Sequence, residues 1–412
     1  MKTELLEQIR RTAREKKTLA VCITVVILLL TSLSLYGPIK TVKGLLVDTG
    51  LPLGSGTVLS IDANRVVYMN GTSLLPKAVF VYDISSGTST NFTAPNGAGR
   101  SYFAMIYADK IVAVGNLTGF VSPFTATISY CILPHSSTVQ PCGAWKLLAT
   151  GLPGAPTFNV YGPPAIHGDL VAWWTVNGLA YHRFSSNITE AVAFTPPAQP
   201  MDLSTNGEII AFTLATHPAN PNNCGPLEYV DTTSGSDAPV NTGLYDCSAY
   251  DTSISQYTIV SVENSTGHNR LQYYDYLRKQ TSTPGQGPLG NFTYVDNPTI
   301  WGNRIVFTAS ETSLNFDCDG DGQIQATQTC LQYWNIRSPS YVASTLAARA
   351  APAISGPVAI YDKLIVFKGS NGNLQYVTVP MQGDVNQDGV VDNTDKNLVT
   401  SCLNQLLKGT IC

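Results

Sequence analysis

Apolar and polar residues alternate in short runs through most of the chain, and clusters of Asn, Asp and Gly break the runs. Alternation with a period of two predicts strands with one face buried, and the turn formers between them predict hairpins. One two-part version of this pattern recurs seven times. Its first part is a polar or charged turn followed by branched residues: Arg65-Val66-Val67, Lys110-Ile111-Val112, Asp169-Leu170-Val171, Glu208-Ile209-Ile210, Thr258-Ile259-Val260, Arg304-Ile305-Val306 and Lys363-Leu364-Ile365. Its second part is an apolar residue, any residue, then tyrosine: Phe80-Val81-Tyr82, Ile128-Ser129-Tyr130, Leu179-Ala180-Tyr181, Leu227-Glu228-Tyr229, Leu271-Gln272-Tyr273, Leu331-Gln332-Tyr333 and Leu374-Gln375-Tyr376.

The first parts start about 39 to 60 residues apart, a period that suits one four-stranded sheet per repeat. A sheet of that size cannot bury both faces alone. Seven of them stacked radially around a channel can, with only short edges left open. The pattern therefore predicts an all-β, seven-bladed β-propeller over residues 43–380. Residues 43–52, KGLLVDTGLP, nearly repeat 146–153, KLLATGLP, where the second repeat ends. The last repeat, around 353–380, lacks an outermost strand of its own. The ring is expected to close by pairing these two pieces, which removes a frayed edge.

The repeat resembles that of TolB-type propellers, in which a turn, a charged residue and two aliphatics are followed by a tyrosine, often with Asp after it. Tyr82-Asp83 in VYDISSGTST is the nearest copy. The resemblance implies a fold far more than a function, because propellers host many unrelated activities.

Composition adds a location. Only 13% of residues are charged, and residues 1–17 hold six basic and three acidic groups within a chain of net charge -4. The remainder is acidic, which argues against nucleic acid as a partner. Residues 18–36 form an uncharged run preceded by Arg14, Lys16 and Lys17. That length suits one membrane crossing, and the basic flank places residues 1–17 in the cytoplasm and the propeller outside the cell. Ser32 and Ser34 leave a cleaved, secreted form open. The long basic leader favours an uncleaved anchor.

Outside that run stand eight cysteines, an even number in an exported chain. Their spacing suggests neighbouring disulfides: Cys131 with Cys142, Cys224 with Cys247, Cys318 with Cys330, and Cys402 with Cys412. A metal cluster is the rival reading, and no CxxC or HxxxH supports it.

The most specific chemistry lies in residues 381–412. Asp384, Asn386, Asp388, Asp392 and Asp395 occupy positions 1, 3, 5, 9 and 12 of an EF-hand-type loop. Gly389 stands at the turn, and the Val390 carbonyl is the expected ligand at position 7. Alternating oxygen donors of this kind curl around calcium (Ca2+), and a helix is expected from about Thr394. With Asp at position 12, the loop is similar to a type I dockerin repeat. Dockerins bind a cohesin partner through two such repeats, and one is visible here. Residues 317–328 carry a second, weaker version. Asp317, Asp319, Asp321 and Gly322 match positions 1, 3, 5 and 6, with Gln323 at position 7, while Gln325 and Gln328 replace acids.

Catalytic patterns are sparse. GxSxG, HExxH and the Asp-box of sialidases are absent, and His135, His167, His182, His217 and His268 are scattered over different repeats. Sequons begin at Asn70, Asn91, Asn116, Asn187, Asn264 and Asn291. The expectation is an anchored, calcium-stabilised binding module whose carbohydrate or protein ligand docks where blades four and six carry insertions. The alternatives are a surface polysaccharide-processing enzyme and a structural subunit of a surface layer or filament.

Overall fold

The computed structural model describes residues 46–54, 58–70, 78–92, 103–115, 127–134, 142, 144–150, 163–175, 178–194, 199–215, 225–235, 238–246, 252–264, 269–282, 295–310, 312, 317, 322–336, 344–345, 358–379, 396–397 and 399–401. The chain divides into Met1–Thr41 and Val42–Cys412, and every described residue belongs to the second unit. The described strands form seven antiparallel four-stranded sheets.

From inside out, blade 1 is Ser60–Asp62, Arg65–Asn70, Ala78–Asp83 and Thr88–Phe92. Blade 2 is Phe103–Tyr107, Lys110–Gly115, Thr127–Ile132 and Lys146–Thr150. Blade 3 runs through Ala165–His167, Leu170–Thr175, Gly178–Arg183 and Ile188–Ala193, and blade 4 through Gln199–Thr205, Ile209–Ala215, Gly225–Asp231 and Val240–Asp246. Blade 5 contains Ser253–Ser255, Thr258–Asn264, Asn269–Asp275 and Gln280–Ser282. Blade 6 contains Val295–Trp301, Arg304–Ser310, Thr329–Asn335 and Ser344–Thr345. Blade 7 has Val358–Tyr361, Leu364–Lys368 and Asn373–Thr378, and takes Leu46–Pro52 as its outer strand. The innermost strands touch one another in a closed circuit from blade 1 round to blade 7 and back. This is a seven-bladed β-propeller closed by its first strand.

The closure is the one the sequence leads one to expect. Val47 pairs with Tyr376 and Asp48 with Gln375. Asp48 also accepts hydrogen bonds from Gly50 N (2.8 Å), Asn373 Nδ2 (3.1 Å), Gln375 Nε2 (3.1 Å) and Asn371 Nδ2, so one carboxylate ties the incoming strand to the last hairpin. These donors hold its pKa below the usual carboxylate value, the Gly50 amide most strongly.

Seven apolar clusters fill the seven interfaces between blades, because alternate side chains of each sheet point to opposite neighbours. Val67, Met69 and Val81 of blade 1 meet Ile111, Ala113 and Cys131 of blade 2. Between blades 3 and 4, Trp174 and Tyr181 meet Ile210 and Phe212. Between blades 7 and 1, Val366 and Leu374 meet Val66 and Tyr68. Each sheet therefore depends on both neighbours for its burial.

The repeated tyrosine has a defined place. Tyr130, Tyr181, Tyr229, Tyr273, Tyr333 and Tyr376 pair with Val112, Ala172, Ala211, Val260, Val306 and Val366, respectively. Blade 1 departs from this alignment. There Val81 pairs with Val67, and Tyr82 stands one residue further on, against Val366 and Leu374 of blade 7. A one-residue offset turns a side chain to the opposite face. Asp83 then falls at the strand end, where its Oδ1 accepts from Ser85 N (2.8 Å) and Ser86 N (3.2 Å) to cap the turn.

Candidate functional site at the channel mouth

The last residue of each inner strand precedes a tight turn at one end of the ring. Register identifies these residues as Asp62, Tyr107, His167, Thr205, Ser255, Trp301 and Tyr361. In six of the turns that follow, the first residue has a positive φ: Ala63 (51°), Ala108 (52°), Gly168 (60°), Gln256 (49°), Gly302 (59°) and Asp362 (51°). A left-handed residue reverses the chain within two positions, which keeps this end compact.

An inner strand is a sheet edge, so its outward amides lack ladder partners. Side chains of the preceding blade supply several. Ser60 Oγ accepts from Ile106 N (3.1 Å) and Asp62 Oδ2 from Ala108 N (2.9 Å). Asp202 Oδ2 accepts from Thr252 N, and Ser204 Oγ from Ile254 N (3.1 Å). Ser253 Oγ accepts from Ile300 N (3.2 Å), and Ser255 Oγ from Gly302 N (2.8 Å). This belt joins blades 1 to 2, 4 to 5 and 5 to 6.

Aromatic contacts at this end join blades 2 to 3 and 6 to 7, and one joins blade 3 to blade 6. Tyr107 of blade 2 lies 4.3 Å from His167 of blade 3, and Trp301 of blade 6 lies 4.1 Å from Tyr361 of blade 7, centroid to centroid. His167 and Trp301, three blades apart, approach to 6.4 Å. The charge of Asp62 of blade 1 acts on both Tyr107 and Tyr361. Burial first, then Asp62, raises both phenols. Burial raises Asp62 itself, against the lowering effects of the Ala108 amide and Arg65. Burial lowers His167, so its imidazole is neutral near pH 7. The four rings are half-buried and Asp62 is buried.

A cavity of about 540 Å³ adjoins Asp62, bordered also by Asn64, Arg65, Asp83, Ser85 and Asp109. Its three carboxylates have structural partners already. Asp62 accepts from Ala108 N, Asp83 caps its turn, and Asp109 pairs with Lys110 Nζ at 2.9 Å.

Asp384, Asn386, Asp388, Val390, Asp392 and Asp395 lie outside the described residues, as do Asp319, Asp321 and the run 18–36. Of the second loop, Asp317 Oδ2 accepts from Gly322 N at 2.7 Å, and Gly322 has a φ of +85°. Gln323 is exposed beside it. Among the described residues no group of three or more His, Cys, Asp or Glu side chains is arranged to hold a metal ion. Cys131 and Cys142 are joined by a disulfide with Cα atoms 5.9 Å apart. Cys330 is disulfide-bonded too, while Cys224, Cys247, Cys318, Cys402 and Cys412 lie outside the described residues. No helix among the described residues is long and apolar enough to cross a membrane.

Two histidines are described. His182 is buried, with its Nδ1 2.9 Å from Thr189 Oγ1, in a structural role, whereas His167 belongs to the channel mouth. Sequence reasoning did not single out the mouth residues. Their common signal is position, immediately before the turn that opens each repeat.

No known protein family matches the chain, and no curated protein matches it. Solved structures do. A puromycin hydrolase mutant is 11% identical, with 77% of this chain and 50% of that chain covered at a TM-score of 0.50. The β-propeller domain of the Trilobed protease from Pyrococcus furiosus is 10% identical, with 76% and 90% covered at 0.48. TolB from Acinetobacter baumannii is 11% identical, with 78% of each chain covered at 0.36. Likeness at this level of identity speaks to the fold alone.

Proposed function

We propose that this propeller is a membrane-anchored, extracellular, calcium-stabilised binding or cell-surface interaction module. Its carbohydrate or protein ligand docks at the end of the ring opposite the tight turns. The observation that carries this reading is the asymmetry of the connections. Inner strands turn into second strands within two or three residues, as at Ala63-Asn64 and Gly302-Asn303. Second strands connect to third strands through residues 216–224 in blade 4 and 311–328 in blade 6, from the other end. Binding surfaces are commonly built from long connections on a rigid scaffold.

In this reading residues 18–36 anchor the chain, and the Cys131–Cys142 bridge suits an oxidising exterior. Asp384, Asn386, Asp388, Val390, Asp392 and Asp395 hold one calcium ion. Asp317, Asp319, Asp321 and Gln323 hold another more weakly, and the turn at Gly322 supports that site. A cohesin-type partner would need a second C-terminal repeat. A polysaccharide hydrolase or lyase draws support from three carboxylates bordering one cavity, and the hydrogen bonds and ion pair that engage them count against it.

The test is a glycan and protein binding screen on the exported part, with and without chelator. Calcium-dependent capture supports the module, and hydrolysis of a glycan without retention replaces it with the enzyme reading. Chelation is expected to lower the melting temperature, and Asp384→Ala with Asp388→Ala should reduce that response to what the weaker loop contributes. An unchanged response in the double variant rules out the C-terminal loop as the calcium site.

A further inference from the structure

Strand order fixes the end of the ring at which the chain enters and leaves. Leu46 pairs with Val377 and Pro52 with Asn373, so the outer strand of blade 7 starts level with the end of its third strand. Third strands end beside the tight turns, as Asp83 pairs with Arg65 and Asp275 with Thr258. Val379 N likewise donates to Lys363 O (2.7 Å), next to the tight turn of blade 7. Leu46 and Val379 both stand at the tight-turn end. We infer that this end rests on a lipid bilayer, with Ile132, Ile188, Val240, Tyr257 and Leu277 in contact with its headgroup and upper acyl region. The inference rests on the reading of residues 18–36 as a membrane span, and it leaves the long connections of blades 4 and 6 facing away.

Nine residues, 37–45, separate that span from Leu46. At full extension they reach about 30 Å, which keeps the entry end near the bilayer. The surface of that end is apolar to match. Nine large apolar side chains are exposed among the described residues, and these five lie in its turns or on the strand residues that adjoin them. Tyr245 lies at the opposite end, and Leu147 lies midway along its blade.

The five follow one arc over blades 2 to 5. Tyr130 and Phe184, 5.0 Å apart, join blades 2 and 3. Arg183 Nη2 donates to Thr232 O (3.3 Å) between blades 3 and 4, and Tyr229 and Tyr276, 5.9 Å apart, join blades 4 and 5. Blade 7, where the chain enters, lies across the ring from this arc, so tether and arc support one face from two sides. Leu277 is 62% exposed in its turn, and Tyr257 is 53% exposed beside Tyr276. A bilayer surface takes leucine into its acyl boundary and tyrosine at its headgroups. Arg278, next to Leu277, pairs with Asp275 at 2.8 Å, and Lys110 with Asp109 at 2.9 Å, so a neutral lipid surface suffices.

The test uses the full-length protein in phosphatidylcholine nanodiscs at one copy per disc, so that no second copy can cover the arc. Some of the lipid carries a diazirine near its headgroup, and labelled peptides are mapped by mass spectrometry after illumination. Label is expected at Ile188, Tyr257 and Leu277 and not at Tyr245. Label in residues 18–36 with none on the arc overturns the inference, and so does equal label at Tyr245. Label on the arc without label in 18–36 removes the span and leaves the lipid contact standing. Label at neither place overturns both. Tyr257→Ser with Leu277→Ser, with folding checked by melting temperature, should lower labelling at Ile188 about threefold or more. Unchanged labelling there in the folded variant overturns the arc as one surface.

Discussion

Asp202 is a carboxylate shifted far from its ordinary value. It is fully buried in the inner strand of blade 4, and its oxygens accept from Leu203 N (2.8 Å) and Thr252 N. Burial outweighs those bonds and raises its pKa from 3.8 to about 6. The folded state therefore binds this proton more tightly than the unfolded state does. Its contribution is full below pH 3.8 and declines as pH rises through about 6. Above that range the buried charge costs about 3 kcal/mol. Urea midpoints for the wild type are expected to rise as pH falls from 7.5 toward 4.5, and Asp202→Asn should flatten the slope. An identical slope in the variant would assign it to other groups. Burial raises Asp62 and Glu228 in the same sense, whereas the donors around Asp48 act in the opposite one.

At the scale of strands, the closing strand invites the clearest test. Leu46–Pro52 is held to blade 7 by its ladder, by Thr49 Oγ1 donating to Leu374 O (2.8 Å), and by the four donors around Asp48. Asp48→Ala removes every bond to that carboxylate, at a cost of about 1–2 kcal/mol because the group is exposed. Hydrogen exchange should quicken first at Leu46, Val47 and their partners Tyr376 and Val377, while the blade 3 and 4 amides stay protected. Uniform acceleration round the ring would mean that closure and global unfolding are one event. Much at this scale was legible in advance, since strands with one consistent face advertise themselves by alternation. The near-repeat of KGLLVDTGLP identified a stray outer strand. The register of blade 1 was not legible, because Val81 and Tyr82 are both good strand residues. Only the neighbour that Tyr82 meets decides between them. The channel mouth was hidden for a different reason. One residue per repeat, its type varying from Asp to Ser to Trp, has no common chemistry until closure sets the inner strands of blades 1 and 7 side by side.

Taken as a whole, the ring owns its core collectively. Each apolar cluster draws on two blades, so loss of packing at one interface exposes both neighbours. Phe212 and Phe307 are fully buried, one between blades 3 and 4, the other between blades 5 and 6. Truncating either to alanine should cost about 3–5 kcal/mol, as removal of a buried ring leaves a cavity the sheets cannot fill. If burial is shared in this way, each variant unfolds in one transition at a lower temperature, and near- and far-ultraviolet circular dichroism coincide. Separate transitions confined to the blades beside the lost ring would mean that groups of blades fold independently. The strand that closes the ring would then be a local clasp, and Asp48→Ala would leave the melting of distant blades untouched.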